Sequence, residues 1–509
     1  MRSISRRAFS KLMTSAAASS LAAPLGLLNA RIARAQGCEP ASFAVPGFGP
    51  LAPSVPRNTA TLADVAGAGD LSGEALIALP EGFEYTAISV RGQPMTDGNA
   101  VPADHDGMAA FAGPEGRIVL VRNHEISIGE TRRGTERGCT TANGRQYDAF
   151  QGQAAGFGGG GTSTVVVGPD GLVVRDFVSL GGTATNCAGG PTPWGSWLSC
   201  EEDIATPAIN PRATKPHGYV FEVPFGAREA VDPVPLAAFG RMKHEAVSVD
   251  PRDGTVYLTE DQFESAYYKL VPRRRPEGVG DYEAGGDLYA LAIRPNQRSR
   301  CNGEPLPTGR FAGTEVVDTR GRSRGVERGM LAFLGQPLAC DWIRLEDVDP
   351  AEDTLRSEAQ QKGASVFFRG EGAVCHDGRH YFVCTNAGDA GNGQIWRYDP
   401  EGETLTLVVE STDENLLEGS DNLTAAADGT LYICEDGAEG EPGQASYSQR
   451  VVGVDRSGGL FDFCQNLIST RELCGACFSP DGRFFFVNGQ GIGITYAIRR
   501  TDGRPISLG

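Results

Sequence analysis

From about residue 80 onward the chain alternates short apolar, β-branched or aromatic runs with compact polar turns. One theme recurs: an Asp-Gly turn, then a strand-like run. Such a pattern predicts β-hairpins, because Asp-Gly supplies the positive φ that tight turns between twisted strands need. The turns are Pro169-Asp170-Gly171, Asp253-Gly254, Asp377-Gly378, Asp428-Gly429 and Pro480-Asp481-Gly482. The last three lie 51 and 53 residues apart, an interval suited to a propeller blade of roughly 40–50 residues. Long helical periodicity is scarce. The pattern predicts an all-β chain built as a β-propeller.

Three stretches break the theme. Residues 36–80 read as an N-terminal arm with little periodicity. Within the single propeller domain expected over 81–509, residues 271–365 read as a partial blade interrupted by surface excursions, with helix expected around 352–361. The first 35 residues are set apart, because Ser5-Arg6-Arg7-Ala8-Phe9-Ser10-Lys11 precedes a weakly apolar stretch and Ala33-Arg34-Ala35 offers a small-x-small cleavage site. That is the form of a twin-arginine signal peptide. It predicts a periplasmic or secreted protein, passed folded through the twin-arginine export machinery.

Composition narrows the classes. The 509 residues are 40% hydrophobic and 22% charged, ordinary for a globular chain and unlike a disordered one. The 68 glycines and 31 prolines follow no Gly-X-Y period, which excludes collagen. No apolar run approaches the roughly 20 residues that span a bilayer. The net charge of −18, with no basic stripe, argues against nucleic-acid binding and favours cations as partners. The 12 cysteines all follow the signal; in an oxidising compartment some can pair, for example among Cys464, Cys474 and Cys477. Cys474-x-x-Cys477 lacks the second pair that a structural zinc needs.

Several strand-like runs end in carboxylates or amides: Glu201-Glu202-Asp203, Glu260-Asp261, Thr385-Asn386, Glu435-Asp436 and Asn488-Gly489-Gln490. In a radial fold such ends can converge, and converging hard oxygens call for a cation such as Ca²⁺. Solvated acidic turns at the rims read equally well from the residues alone. The most informative segment is Asn186-Cys187-Ala188-Gly189-Gly190-Pro191-Thr192-Pro193-Trp194-Gly195-Ser196-Trp197. Its lone cysteine offers a soft thiolate suited to iron, zinc or copper, though the residues alone favour a structural or disulfide cysteine.

With that segment the chain resembles the PhoX-type alkaline phosphatase family of twin-arginine-exported propellers: Arg122-Asn123-His124-Glu125, Gly240-Arg241-Met242-Lys243-His244-Glu245-Ala246, Arg369-Gly370-Glu371, Ser420-Asp421-Asn422-Leu423 and Phe478-Ser479-Pro480-Asp481-Gly482 agree in order. The resemblance implies a six-bladed propeller with an axial iron–calcium cluster that hydrolyses small phosphomonoesters. Carried over by motif position, Cys187 is a thiolate ligand of iron (Fe³⁺), Glu245 a bridging carboxylate, Glu371 a further ligand and Asp421 part of a calcium site, with Glu201 counted among the metal ligands. Arg369 grips the phosphate, Asn422 assists it, and Cys187, Arg369 and Glu371 form the catalytic set. The chain departs from the family after Asn488, where Gly489-Gln490-Gly491-Ile492-Gly493 lacks the usual bulky residue before the glutamine and the proline soon after, and it fits the family's shorter branch. Two other readings stay open: a calcium-dependent hydrolase of lactones or phosphotriesters, which needs only the hard oxygen ligands and makes Cys187 dispensable, and a non-enzymatic periplasmic propeller stapled by calcium.

Overall fold

The computed structural model describes residues 42–129, 138–151, 159–437 and 449–508; the signal expected over residues 1–35 lies outside them. The apolar runs form strands buried along their whole length, as in Ile118–His124 and Phe484–Gly489, because β-branched and aromatic side chains suit a pleated surface covered on both faces. Six strands line a common centre: β1 (His105–Ala112), β2 (Asn186–Pro191), β3 (His244–Val249), β4 (Gly370–His376), β5 (Ser420–Ala425) and β6 (Leu473–Phe478). Each packs beside the next, and β6 packs beside β1, so the ring closes.

Antiparallel partners fan outward from these strands. β1 leads a four-stranded sheet through Ile118–His124, Gly160–Val167 and Val173–Thr183. β2 leads a three-stranded one through Ser196–Glu201 and Val220–Pro224. The sheets that begin at β3 and β4 are fused by Leu338–Arg344, which pairs with Gly286–Ile293 on one side and Thr404–Glu410 on the other, giving nine continuous strands. The β5 sheet runs through Leu431–Glu435, Arg450–Val454 and Leu460–Asn466, then takes up Ile77–Pro80 and Leu51–Ser54. The arm that looked aperiodic thus supplies two outer strands. The architecture is all-β and propeller-like, with sheets of unequal size and two of them merged.

The last sheet decides closure. β6, Phe484–Gly489 and Ile494–Arg500 are joined by Phe83–Ile88 from the other end of the chain, with Ile88 opposite Thr495 and Phe83 opposite Arg500. This pairing removes an open edge and staples the ring. Between neighbouring sheets, Tyr432, Phe463, Phe478 and Phe485 meet largely edge to face, at centroid separations of 5.0–5.5 Å. A fully buried ring of this kind contributes roughly 1.5–3 kcal/mol by leaving water. The Asp-Gly turns fall where expected; between β4 and Arg379–Cys384, Asp377 and Gly378 take φ of 49° and 69°. Inside the stretch 271–365, the α-helix α1 spans Leu355–Gln361.

The cysteines correct one expectation. Cys464, Cys474 and Cys477 are free thiols rather than a pair; the Cys474 thiol instead donates to the His105 carbonyl at 2.9 Å. Cys301 is disulfide-bonded.

Candidate metal centre

All six inner strands break register at the same place. The bulges lie between His105 and Met108, Asn186 and Gly189, His244 and Val247, Gly370 and Ala373, Ser420 and Leu423, and Cys474 and Cys477. A bulge takes a residue out of the ladder and re-aims its side chain. The residues so released are Asp106, Cys187, Glu245, Glu371 and Asp421, with Gly475 in the sixth place. Small residues follow most of them and let the strands approach. A Cβ on Gly372 would lie 2.6 Å from the Asp421 carbonyl oxygen, and one on Gly107 would lie 2.5 Å from the Ala188 Cα.

The released side chains meet. Ligand atoms of Cys187, Glu202 and Glu245 lie within 4.8 Å of one another, as do those of Glu245, Glu371 and Asp421, and those of Asp421, Asp436 and Glu472. Glu245 and Asp421 each belong to two groups, so the three form one continuous tract. Cys187, Glu245, Glu371 and Asp421, all expected at the site from sequence, are therefore brought together. Of the strand-end carboxylates, Glu202 and Asp436 join the tract, while Asp261 reaches its edge through Arg369.

Glu201 is not brought there. One of its oxygens accepts from the Ala184 amide at 2.9 Å and meets His217 Nδ1 at 2.7 Å; the other accepts from the Gly218 and Tyr219 amides at 2.9 and 3.1 Å. With both oxygens filled by fixed donors, it anchors its sheet instead of facing the centre. Asn422 is also engaged. Its amide donates to Asp421 Oδ1 at 3.0 Å and its carbonyl oxygen accepts from the Gly475 amide, tying β5 to β6. His124 bonds to the Ala103 carbonyl and the Ser163 hydroxyl, and His244 to the Gly240 carbonyl; both position loops.

Sequence reasoning missed Asp106 and Glu472. Asp106 is fully enclosed beside Gln490, which donates to Glu125 Oε2 at 2.8 Å. The signal was present, since Asp106-Gly107 repeats the pair of a ligand type followed by a small residue seen in Cys187-Ala188, Glu245-Ala246 and Glu371-Gly372.

Arg369 closes one edge of the tract at φ 45°, a left-handed conformation rare for a side chain of its size. Its guanidinium forks onto Asp261 (Nε to Oδ1 2.9 Å, Nη2 to Oδ2 3.2 Å), reaches Glu371 Oε1 at 2.8 Å and donates to Asn386 Oδ1 at 3.2 Å.

The electrostatics call for positive charge. Burial, then Glu371 and Asp421, push the Glu245 carboxyl well above its ordinary range. Burial and Asp261 do the same to Glu371, burial and Glu125 to Asp106, and burial and Asp436 to Glu472. Glu202 is raised to about 7 by burial and Asp261. Burial, Glu245 and Glu202 push the Cys187 thiol well up. Acids that crowd one another to this degree keep their protons or share cations. A set of hard oxygens with one sulfur at one end fits hard cations along the tract and a softer one beside Cys187.

Among the described residues, no helix is long and apolar enough to cross a membrane. Comparison with known proteins gives the chain a place. The family model described as alkaline phosphatase PhoX matches residues 66–493. Among solved structures, Pseudomonas fluorescens PhoX in complex with vanadate, a transition state analogue, superposes with a TM-score of 0.61 at 19% identity, over 85% of this chain and 97% of that one. Virginiamycin B lyase from Staphylococcus aureus (TM-score 0.36, 12% identity, 82% of this chain and 99% of that one) is far more distant. A Xanthomonas campestris gluconolactonase is similarly remote (0.38, 11%, 91% and 98%). No curated protein sequence matches. The family match extends over most of the chain, and the chain belongs to the PhoX alkaline phosphatase family, phosphoric monoester hydrolases.

Proposed function

We propose that this chain is a periplasmic or secreted phosphatase whose active site is the axial tract of a six-bladed propeller, loaded with iron and calcium and exported folded by the twin-arginine route. The observation that carries the reading is the continuous tract of ligand groups, of which Cys187, Glu245, Glu371 and Asp421 are released by bulges of the inner strands. Closure of six inner strands into a ring supports the blade count. Cys187, Glu202 and Glu245 would hold iron, with Glu245 bridging; Glu371, Asp421, Asp436 and Glu472 would hold calcium. Such cations supply charge that neutralises phosphoryl oxygens and Lewis acidity that activates water.

The chain's own part is orientation. Asp261 accepts two N–H groups of Arg369 and fixes the plane of the guanidinium. With Glu371 among the residues that would hold a cation, the Nη2 N–H that now meets Glu371 would be available to a phosphoryl oxygen of the substrate, where the guanidinium charge would oppose the negative charge that grows in the transition state. Asn386 steadies Nη1. Asn422 serves by tying β5 to β6 beneath Asp421, and its hydrogen bonds leave direct substrate contact to Arg369.

Hydrolysis of p-nitrophenyl phosphate by the metal-replete protein tests the reading. Turnover is expected, with loss on chelation and inhibition by vanadate. Arg369→Lys keeps the charge but loses the fork, and kcat/KM is expected to fall about 10²-fold. No turnover in iron- and calcium-replete protein would reject the assignment.

A further inference from the structure

The motif Arg122-Asn123-His124-Glu125 contributes only Glu125 near the tract, yet Asn123 is wholly buried and makes every hydrogen bond an amide side chain can make. Its Nδ2 donates to the Cys187 carbonyl at 3.1 Å and to the Ala188 carbonyl at 2.7 Å. Its Oδ1 accepts from Trp197 Nε1 at 2.8 Å and from the Ser199 hydroxyl at 2.9 Å. An indole N–H can only donate, so the amide has one orientation. The two carbonyls it satisfies belong to the β2 bulge, between Asn186 and Gly189, where the ladder has released them.

The same arrangement recurs around the ring. Asn488, in the strand next to β6, donates to the Asp106 carbonyl of β1 at 2.7 Å, and its own oxygen accepts from Thr495 at 2.6 Å. Thr259, in the strand next to β3, donates to the Glu371 carbonyl of β4 at 2.6 Å. In each case a polar side chain on the second strand of one sheet satisfies the bulge of the following sheet.

We propose that these three side chains act as braces, in which one sheet aims the inner-strand side chain of the sheet that follows, and that Asn123 is the positioning residue for the Cys187 sulfur. The inference rests on Cys187 being a metal donor, as in the reading above. A bulge with unsatisfied carbonyls would relax toward the ladder and turn its side chain away from the centre. Asn123 removes that incentive while Trp197 and Ser199 lock its own rotamer.

The test is titration of the metal-free full chain with Co²⁺, following the sulfur-to-cobalt charge-transfer absorption that only a thiolate ligand gives. Wild type should show the band, and Cys187→Ala should lack it. Asn123→Ala should keep a cooperative melt while its apparent Co²⁺ affinity at the sulfur site falls about 10-fold or more, the usual size of an outer-shell loss. The double variant Trp197→Phe/Ser199→Ala frees the Asn123 amide without removing its donors and should give a smaller fall of the same kind. Asn123→Ala with the wild-type band and affinity would overturn the brace alone. If Asn123→Ala does not fold, an unchanged titration of the double variant overturns it. A band that survives Cys187→Ala would overturn both the brace and the thiolate reading beneath it.

Discussion

Glu201 and Glu202 are chain neighbours at a strand end, and the period of two sends their carboxylates to opposite sides. Glu202 joins the axial tract; Glu201 takes His217, whose other nitrogen lies 3.2 Å from Asp148 Oδ2. Two further pairs divide in the same way. Glu260 accepts from Tyr268 at 2.7 Å and Arg356 at 3.1 Å while Asp261 holds Arg369. Glu435 pairs with Arg450 while Asp436 lies in the tract. The buried His217 pair makes a pH prediction. Burial opposes its charge, but Glu201 and Asp148 outweigh burial and raise its pKa above 6.5. For Asp148 burial acts upward, yet the Thr214 hydroxyl and amide and the His217 ring bring the pKa below 3.8. The His217 contribution is complete below 6.5 and is lost as pH rises through its raised value; that of Asp148 is present above 3.8 and is lost as pH falls through its lowered value. The melting-temperature gap between wild type and His217→Gln should therefore be widest between those limits and narrow in alkali; a gap independent of pH would contradict the pairing. Convergence of strand-end acids was legible in the sequence. Which member of each pair converges was not, because strand phase depends on bulges that composition does not display.

At the scale of the element, the inner-strand bulge is the device that takes a side chain out of the ladder and turns it toward the centre. Its sixth copy carries Gly475, at φ 64°, where a Cβ would lie 2.3 Å from the Asp106 carbonyl oxygen. Gly475→Ala combines backbone strain with overpacking and should cost about 2–4 kcal/mol, measured by denaturant unfolding; a neutral result would mean that the strands are not held at this spacing. The Asp-Gly hairpins were legible because turn chemistry is local. Fusion of the β3 and β4 sheets was not, because Leu338–Arg344 pairs on both sides with strands chosen by three-dimensional packing. Asp106 escaped notice for a related reason: His105-Asp106-Gly107 has the composition of a turn, yet it begins an inner strand.

For the whole molecule, closure and charge act together. Phe83–Ile88 completes the last sheet, and a chain begun at residue 90 should lose its cooperative melt. The ring gathers acidic groups that repel one another at its centre, so the proposed cations would hold the sheets together as well as serve the chemistry; chelation should lower the melting temperature along with activity. The propeller could be anticipated from turn spacing, and the convergence of Cys187, Glu245, Glu371 and Asp421 from a family resemblance that the match over residues 66–493 now supports. Elemental analysis of the protein purified from its exporting host, with Cys187→Ala alongside, measures the proposed centre most directly. Iron together with calcium in the wild type, and iron lost with calcium retained in the variant, is the predicted result. Wild-type protein that turns over p-nitrophenyl phosphate with neither metal bound in stoichiometric amount would contradict it.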